Sequence, residues 1–262
     1  MIKSKKAQLT IFVIVAVLIV AIALFYFFVI KNKSIIKQEI SFKNPEAYIE
    51  KCARDAASNA TNLLYDTGGY LNPKNFILYD NKKVVYLCYT RTYYTPCIVQ
   101  EPLYIQHLQD EIDSYTTPRV KACFQYLKQE YEKRGYEVTM DDNPDVIITL
   151  KPNKVDINIK MDINNELVIK KGDEVKRYEE FKTAFNSPIY NLANLAIEIF
   201  SQEAKYCHFS VLGYSLFYPD TKITVNTVGT GLQRGRVYTI TDKYTNKKLY
   251  FAVRSCEIPP GV

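Results

Sequence analysis

The chain has 262 residues and a net charge of +6, from 34 Lys and Arg against 28 Asp and Glu, with no Trp but 22 Tyr and 13 Phe. All of the basic excess lies in Lys3, Lys5, Lys6, Lys31, Lys33 and Lys37, ahead of the first acidic residue, Glu39, and the rest of the chain is balanced. That distribution excludes a general electrostatic grip on nucleic acid; the 47 % apolar content excludes disorder, and the lack of an internal period excludes a solenoid.

The first element predicted is a membrane helix. Leu9 to Ile30 is 22 residues without a charged side chain. As a helix it spans about 33 Å, enough for a hydrocarbon core of about 30 Å. Phe25, Tyr26, Phe27 and Phe28 cluster at one end, and lysines flank both. A cleavable secretory signal has a shorter apolar region, about 7–15 residues, followed by small residues; here the run ends in Tyr-Phe-Phe-Val-Ile-Lys. The expected order is a cytoplasmic leader over 1–8, a transmembrane helix over 9–30 and a juxtamembrane extension or linker over 31–44. A helix, hairpin and helix region follows over 45–140, and a meander, helix and C-terminal strands over 141–262.

Lys5-Lys6-Ala7-Gln8-Leu9 resembles the class III signal of archaeal type IV pilin-like proteins. The resemblance implies cleavage between Ala7 and Gln8 by a prepilin peptidase, with the helix left attached, and partners among other surface or filament subunits. The fifth residue after such a cut is Phe12, where pilins generally carry Glu.

In the body, Asn44-Pro45-Glu46 supplies a cap, a first-turn proline and an acid. Ile49, Cys52, Ala53, Ala56, Ala60, Leu63 and Leu64 then form one helical stripe that Gly68-Gly69 closes. Residues 76–100 read as strands carrying Tyr86, Tyr89, Tyr93 and Tyr94. Glu101-Pro102 and Thr117-Pro118 open either two helices or one kinked helix, with Leu108, Ile112, Val120, Phe124, Leu127 and Tyr131 inward. Val155, Ile157, Ile159, Met161 and Ile163 alternate with polar residues, the period of a strand with one wet face. Turns at Asn164-Asn165 and Lys171-Gly172-Asp173 make that region a meander. Ser187-Pro188 starts a helix with Leu192, Leu195 and Ile199 inward, and strands follow at 222–228, 235–241 and 248–254. Helices and strands segregate without regular alternation, so the fold class is α+β, with helices packed on mostly antiparallel sheet.

Tyr48 to Cys52, Leu64, Gly68 to Leu71, the helix containing Cys123, the Val155–Met161 strand and the run from Val237 to Asp242 together resemble single-pass surface proteins of small-genome archaea. That group implies a topology and a location, with no activity attached.

Six cysteines follow the apolar stretch: Cys52, Cys88, Cys97, Cys123, Cys207 and Cys256. None has metal-site spacing, and the histidines are only His107 and His208. Disulfides in an oxidising compartment fit better. Cys88 and Cys97 end two runs joined by a turn, Cys52 and Cys123 sit on helices of the first half, and Cys207 and Cys256 follow the last helix and the last strand. The expected pairs are 52–123, 88–97 and 207–256, out of fifteen connectivities. They also orient the chain, with its N-terminus cytoplasmic and its body extracellular.

No hydrolase elbow, zinc helix, Walker loop or dinucleotide fingerprint is present, and neither a cofactor nor a catalytic residue is implied. Gly229-Thr230-Gly231 with Arg234 and Arg236 suits a hairpin tip with surface arginines better than an anion cradle. Asp141, Asp142 and Asp145, like Asp162, Asn164 and Glu166, read as solvated turns before calcium ligands. Cys207-His208 is a poor catalytic pair, since neighbours in sequence rarely face each other, and His107 is expected at a helix surface. Asn59-Ala60-Thr61 is a glycosylation sequon within a helix, where packing would block it. The leading expectation is a non-enzymatic, membrane-anchored surface protein with a structural or assembly role. The alternatives are an anchored binding or adhesion module using the tyrosine-rich 86–104 region and a carboxylate-based ectohydrolase.

Overall fold

The computed structural model describes residues 44–140, 143–161 and 166–259. The chain divides into two units, Met1–Asn44 and Pro45–Val262, and only the second, the body, is described here. The leader with Ala7 and Gln8, the expected membrane helix, Asp141, Asp142, Asp162 and Asn164 lie outside the described residues. Among the described residues no helix is long and apolar enough to cross a membrane.

Helix α1 (Pro45–Thr67) buries Ile49, Ala53, Ala56, Ala57, Ala60 and Leu64 along one stripe. Its small residues let α2 (Tyr104–Glu132) approach closely, and Cys52–Cys123 joins the two helices. The sequence left open whether residues 101–132 form one helix or two; they form one, which starts two residues beyond Pro102 and runs through Pro118. A proline inside a helix costs about 3 kcal/mol. Continuous packing on α1 and the disulfide that follows offset that cost.

The largest sheet contains β1 (Phe76–Tyr79), β2 (Lys82–Tyr89), β3 (Ile98–Val99), β10 (Thr221–Val228), β11 (Gly235–Asp242) and β12 (Lys248–Arg254). Its order is β1-β2-β12-β11-β10, with β3 also on β2. Asp80 and Asn81, both at positive φ, make the tight β1–β2 turn. The β2–β12 pairing is parallel, so strands from the two expected regions, 45–140 and 141–262, share one sheet. The sheet coils until its first and last strands meet: Asn226 Nδ2 on β10 donates to Tyr79 Oη on β1 at 2.9 Å. The concave face thereby buries its own core of Ile77, Val84, Tyr86, Val237, Tyr250 and Ala252. The opposite face carries Val85, Leu87, Tyr238, Leu249 and Phe251, all buried, and packs on α1 and on α3 (Ile189–Tyr206).

The expected meander is corrected. β4 (Glu137–Thr139), β7 (Leu167–Lys171) and β8 (Glu174–Tyr178) form one three-stranded sheet, and β5 (Asp145–Lys151), β6 (Lys154–Lys160) and β9 (Glu180–Asn186) form another. The β7–β8 hairpin joins β4 through β7 and not β6, and β9 returns to take the edge of β6. Alternation along β6 is as expected, with Val155, Ile157 and Ile159 buried.

Helix α4 (Val211–Phe217) is an element the sequence reading did not anticipate. Ser210 caps it by accepting from Gly213 N at 3.3 Å, and none of its residues is buried. The other two disulfides are Cys88–Cys97, across the β2–β3 turn, and Cys207–Cys256, from the end of α3 to the segment after β12. These are the same three pairs drawn from chain order, and no described cysteine is free. The body is α+β, with mostly antiparallel sheets and three disulfides.

Candidate functional site

A cleft of about 460 Å³ opens between the turn after α1, strand β2 and the segment leading into α2. The turn creates it. Gly68 and Gly69 take positive φ, and a side chain at Gly69 would meet Leu108 Cδ2 at 2.7 Å and Tyr104 Oη at 2.8 Å. The chain therefore lies flat on α2. Tyr104 Oη donates to Gly68 O at 3.1 Å, and His107 Nε2 lies 2.9 Å from Gly69 O. A carbonyl only accepts, so Nε2 carries the proton and a neutral ring leaves Nδ1 as an acceptor. His107 is half-buried, its ring centroid 4.2 Å from that of Tyr70, which corrects the expected surface position.

Tyr70 donates its hydroxyl to Glu101, and Leu71 N donates to Glu111 Oε2 at 2.8 Å. Burial, and then the hydrogen bond and charge of Glu101, push the Tyr70 phenol well above its ordinary range, so it stays protonated. The cleft thus presents two acceptor carboxylates, a donor phenol and the amides of Asn72, Asn75 and Gln100 beside Lys74. This is a hydrogen-bonding surface for a polar ligand. Each acid already accepts one hydrogen bond from the chain, Glu101 from Tyr70 and Glu111 from Leu71 N.

A second network surrounds Ser255, just past β12. On the helix face Glu203 is fully buried, accepts from Tyr238 Oη and pairs with Arg236 at 2.8 Å. Burial raises the Glu203 carboxyl above its ordinary value, against the opposing pull of Tyr238 and Arg236. Arg236 also donates to Cys207 O and Ser255 O, at 3.1 and 2.9 Å. Arg234 Nε lies 3.2 Å from Glu257. Of the two expected surface arginines, Arg234 is exposed as expected, and Arg236 corrects to a mostly buried side chain held by Glu203. Gly229–Gly231 does sit at the β10–β11 hairpin tip.

The other sequence candidates do not converge. Cys207 is consumed in its disulfide and His208 is exposed, so no thiol–imidazole pair exists there. Asp145 begins β5, and Glu166 pairs with Arg177 at 3.7 Å. Among the described residues no cluster of His, Cys, Asp or Glu could hold a metal. Asn59 is exposed on α1, but Thr61 of its sequon is buried with its hydroxyl on Ala57 O at 2.8 Å. The tyrosine ladder corrects as well. Tyr86 and Tyr104 are buried, Tyr89 and Tyr93 are half-buried, and among these Tyr94 alone is exposed. Burial and the neighbouring Tyr89 push the Tyr86 phenol up to about 12.

What sequence reasoning missed is an apolar shelf. Leu212, Leu216 and Phe217 on α4 are 76, 75 and 80 % exposed, with Tyr218 beside them. Leu212 and Leu216 share one helical face, a spacing that was visible in the sequence. No family model, no curated protein and no solved structure matches the chain.

Proposed function

We propose that the chain is a membrane-anchored extracytoplasmic surface protein whose body has a structural, non-enzymatic role in assembly. The observation that carries the reading is the set of three disulfides in a body that follows an uncharged 22-residue stretch flanked by lysines. Disulfides persist where the environment is oxidising, and such a stretch is long enough to cross a bilayer. The α4 shelf supports the assembly role, because an exposed apolar face is a contact surface; its occupant is another subunit, in the simplest case a second copy. Processing between Ala7 and Gln8 makes the protein pilin-like.

The test is expression with and without a prepilin peptidase, followed by membrane fractionation and intact mass. The expected product stays with the membrane in both cases and begins at Gln8 only when the peptidase is present. Release into the soluble fraction removes the anchor; an N-terminus at Met1 in both cases removes the pilin-like version. Leu216→Ser with Phe217→Ser is expected to abolish chemical cross-linking between copies, and cross-linking that persists removes the shelf from the account.

A second reading is an anchored binding module, favoured by the amide-rich cleft at Tyr70. Its ligand is a neutral polyhydroxylated molecule such as a glycan. Titration with neutral oligosaccharides should shift the Asn72 and Asn75 side-chain amide resonances, and unchanged resonances remove it.

A further inference from the structure

The first residue beyond the concave core is an arginine. Arg254 lies opposite Tyr89 at the end of β12, and Tyr89 packs on that core. Arg254 is 0 % exposed, a rare state for a cation that no described carboxylate pairs with. Its Nη1 donates to Thr90 O, and the guanidinium carbon lies 5.1 Å from the centre of the Tyr93 ring. Its Nε and Nη2 are buried and have no hydrogen-bond partner among the described residues. Those two nitrogens form one edge of the guanidinium, the side-on fork that takes both oxygens of a carboxylate or phosphate in parallel.

The charge around the fork points the same way. Glu257 is the nearby acid, since both it and Arg254 act on the Tyr86 phenol, but Arg234 already holds its carboxylate at 3.2 Å. Burying a guanidinium with one edge unpaired is costly, whereas a bound two-oxygen anion would satisfy the fork and balance the charge. The cover is a loop. Residues 90–96, closed by Cys88–Cys97, cross Arg254 and bond the segment after β12 through Tyr94 N to Glu257 O and Cys256 N to Thr95 O. Thr90 and Tyr93, the two groups touching the guanidinium, both belong to that loop.

We infer that Arg254 is the centre of an anion site beneath the 90–96 loop, which takes a carboxylate or phosphoryl group through the Nε–Nη2 fork. This site is separate from the Tyr70 cleft and does not depend on how the body is anchored. Lys at this position keeps the charge but cannot make the fork.

The test is an NMR titration of full-length protein in detergent micelles, following arginine Nε–Hε resonances with acetate, inorganic phosphate or sulfate. One resonance is expected to move saturably in wild type, and Arg254→Lys should weaken binding at least tenfold. Saturation by acetate alone assigns a carboxylate, and by phosphate and sulfate alone a phosphoryl or sulfuryl group; either result supports the site. Arg234→Gln keeps the fork but frees Glu257 to compete for it, so it should weaken binding several-fold even if Arg254→Lys fails to fold. A wild-type chain whose arginine resonances do not respond, or a response that Arg254→Lys and Arg234→Gln leave unchanged, overturns the inference.

Discussion

Two polar clusters flank β2, and they differ in how completely their groups are paired. Beside the turn after α1, the carboxylates of Glu101 and Glu111, the Tyr70 phenol and the His107 ring each have a partner on the chain. Past the end of β12, Glu203 is ion-paired with Arg236 at 2.8 Å on the helix face although its Oε2 makes no hydrogen bond, and Arg254 on the concave face keeps an open fork with no described ion pair. The paired cluster reads as architecture, because its bonds hold the Gly68–Gly69 turn on α2 and shape a cleft as a consequence. The unpaired fork is where the anion is proposed, because no described residue fills it. Burial alone does not separate the two clusters; hydrogen-bond accounting does.

The comparison breaks most readily at Glu203. Glu203→Ala leaves Arg236 mostly buried beside Tyr238 and should cost about 3–5 kcal/mol, measured by denaturant unfolding; a loss below about 1 kcal/mol would make the pair peripheral. In the other cluster, Gly69→Ala places a methyl on Leu108 at a left-handed φ. It should cost about 1–3 kcal/mol from backbone strain, plus the overlap. Tyr70→Phe removes one hydrogen bond and should cost about 1 kcal/mol; the same loss in a Glu101→Gln background would show that the bond contributes nothing.

The smallest effects are in pH dependence, and the two signs oppose. Glu203 is raised from 4.5 in the folded body, so the folded state holds its proton more tightly. Its contribution is present below 4.5 and is lost as pH rises through the folded value. Asp156 is lowered from 3.8, first by hydrogen bonds from Lys151 and Lys154. Its contribution is present above 3.8 and is lost as pH falls through the lower folded value. Unfolding midpoints of Glu203→Gln and Asp156→Asn across pH 2–7 should diverge from wild type with opposite slopes. Parallel slopes would mean that one of the two environments is misassigned.

The local part of this picture was legible in the sequence. The α1 stripe, the β6 alternation and the 248–254 strand follow from 3.6- and 2-residue periods. The cysteine pairs follow from which elements end near each other. Three features needed tertiary pairing. The β7–β8 hairpin has turn residues that fix its shape but nothing local that sends it to β4 rather than β6. The first and last strands of the large sheet touch through Tyr79 and Asn226, which are 147 positions apart. Arg254 ends an apolar run and looks like a strand terminus reaching solvent. It is buried where β12 pairs the parallel neighbour β2, beside an irregular register at Ala252/Val253, with Thr90 and Tyr93 of the following loop on its guanidinium. The shelf on α4 was missed for another reason: an apolar turn of helix without a buried face lacks the stripe that marks core helices.

The account rests on an oxidised body, and counting thiols tests it most directly. Full-length protein taken from expressing cells is alkylated in denaturant before and after reduction, and the added groups are counted by intact mass. The prediction is no modified cysteine before reduction and six after. Six modified before reduction would contradict the disulfide-bonded extracytoplasmic body and everything proposed from it.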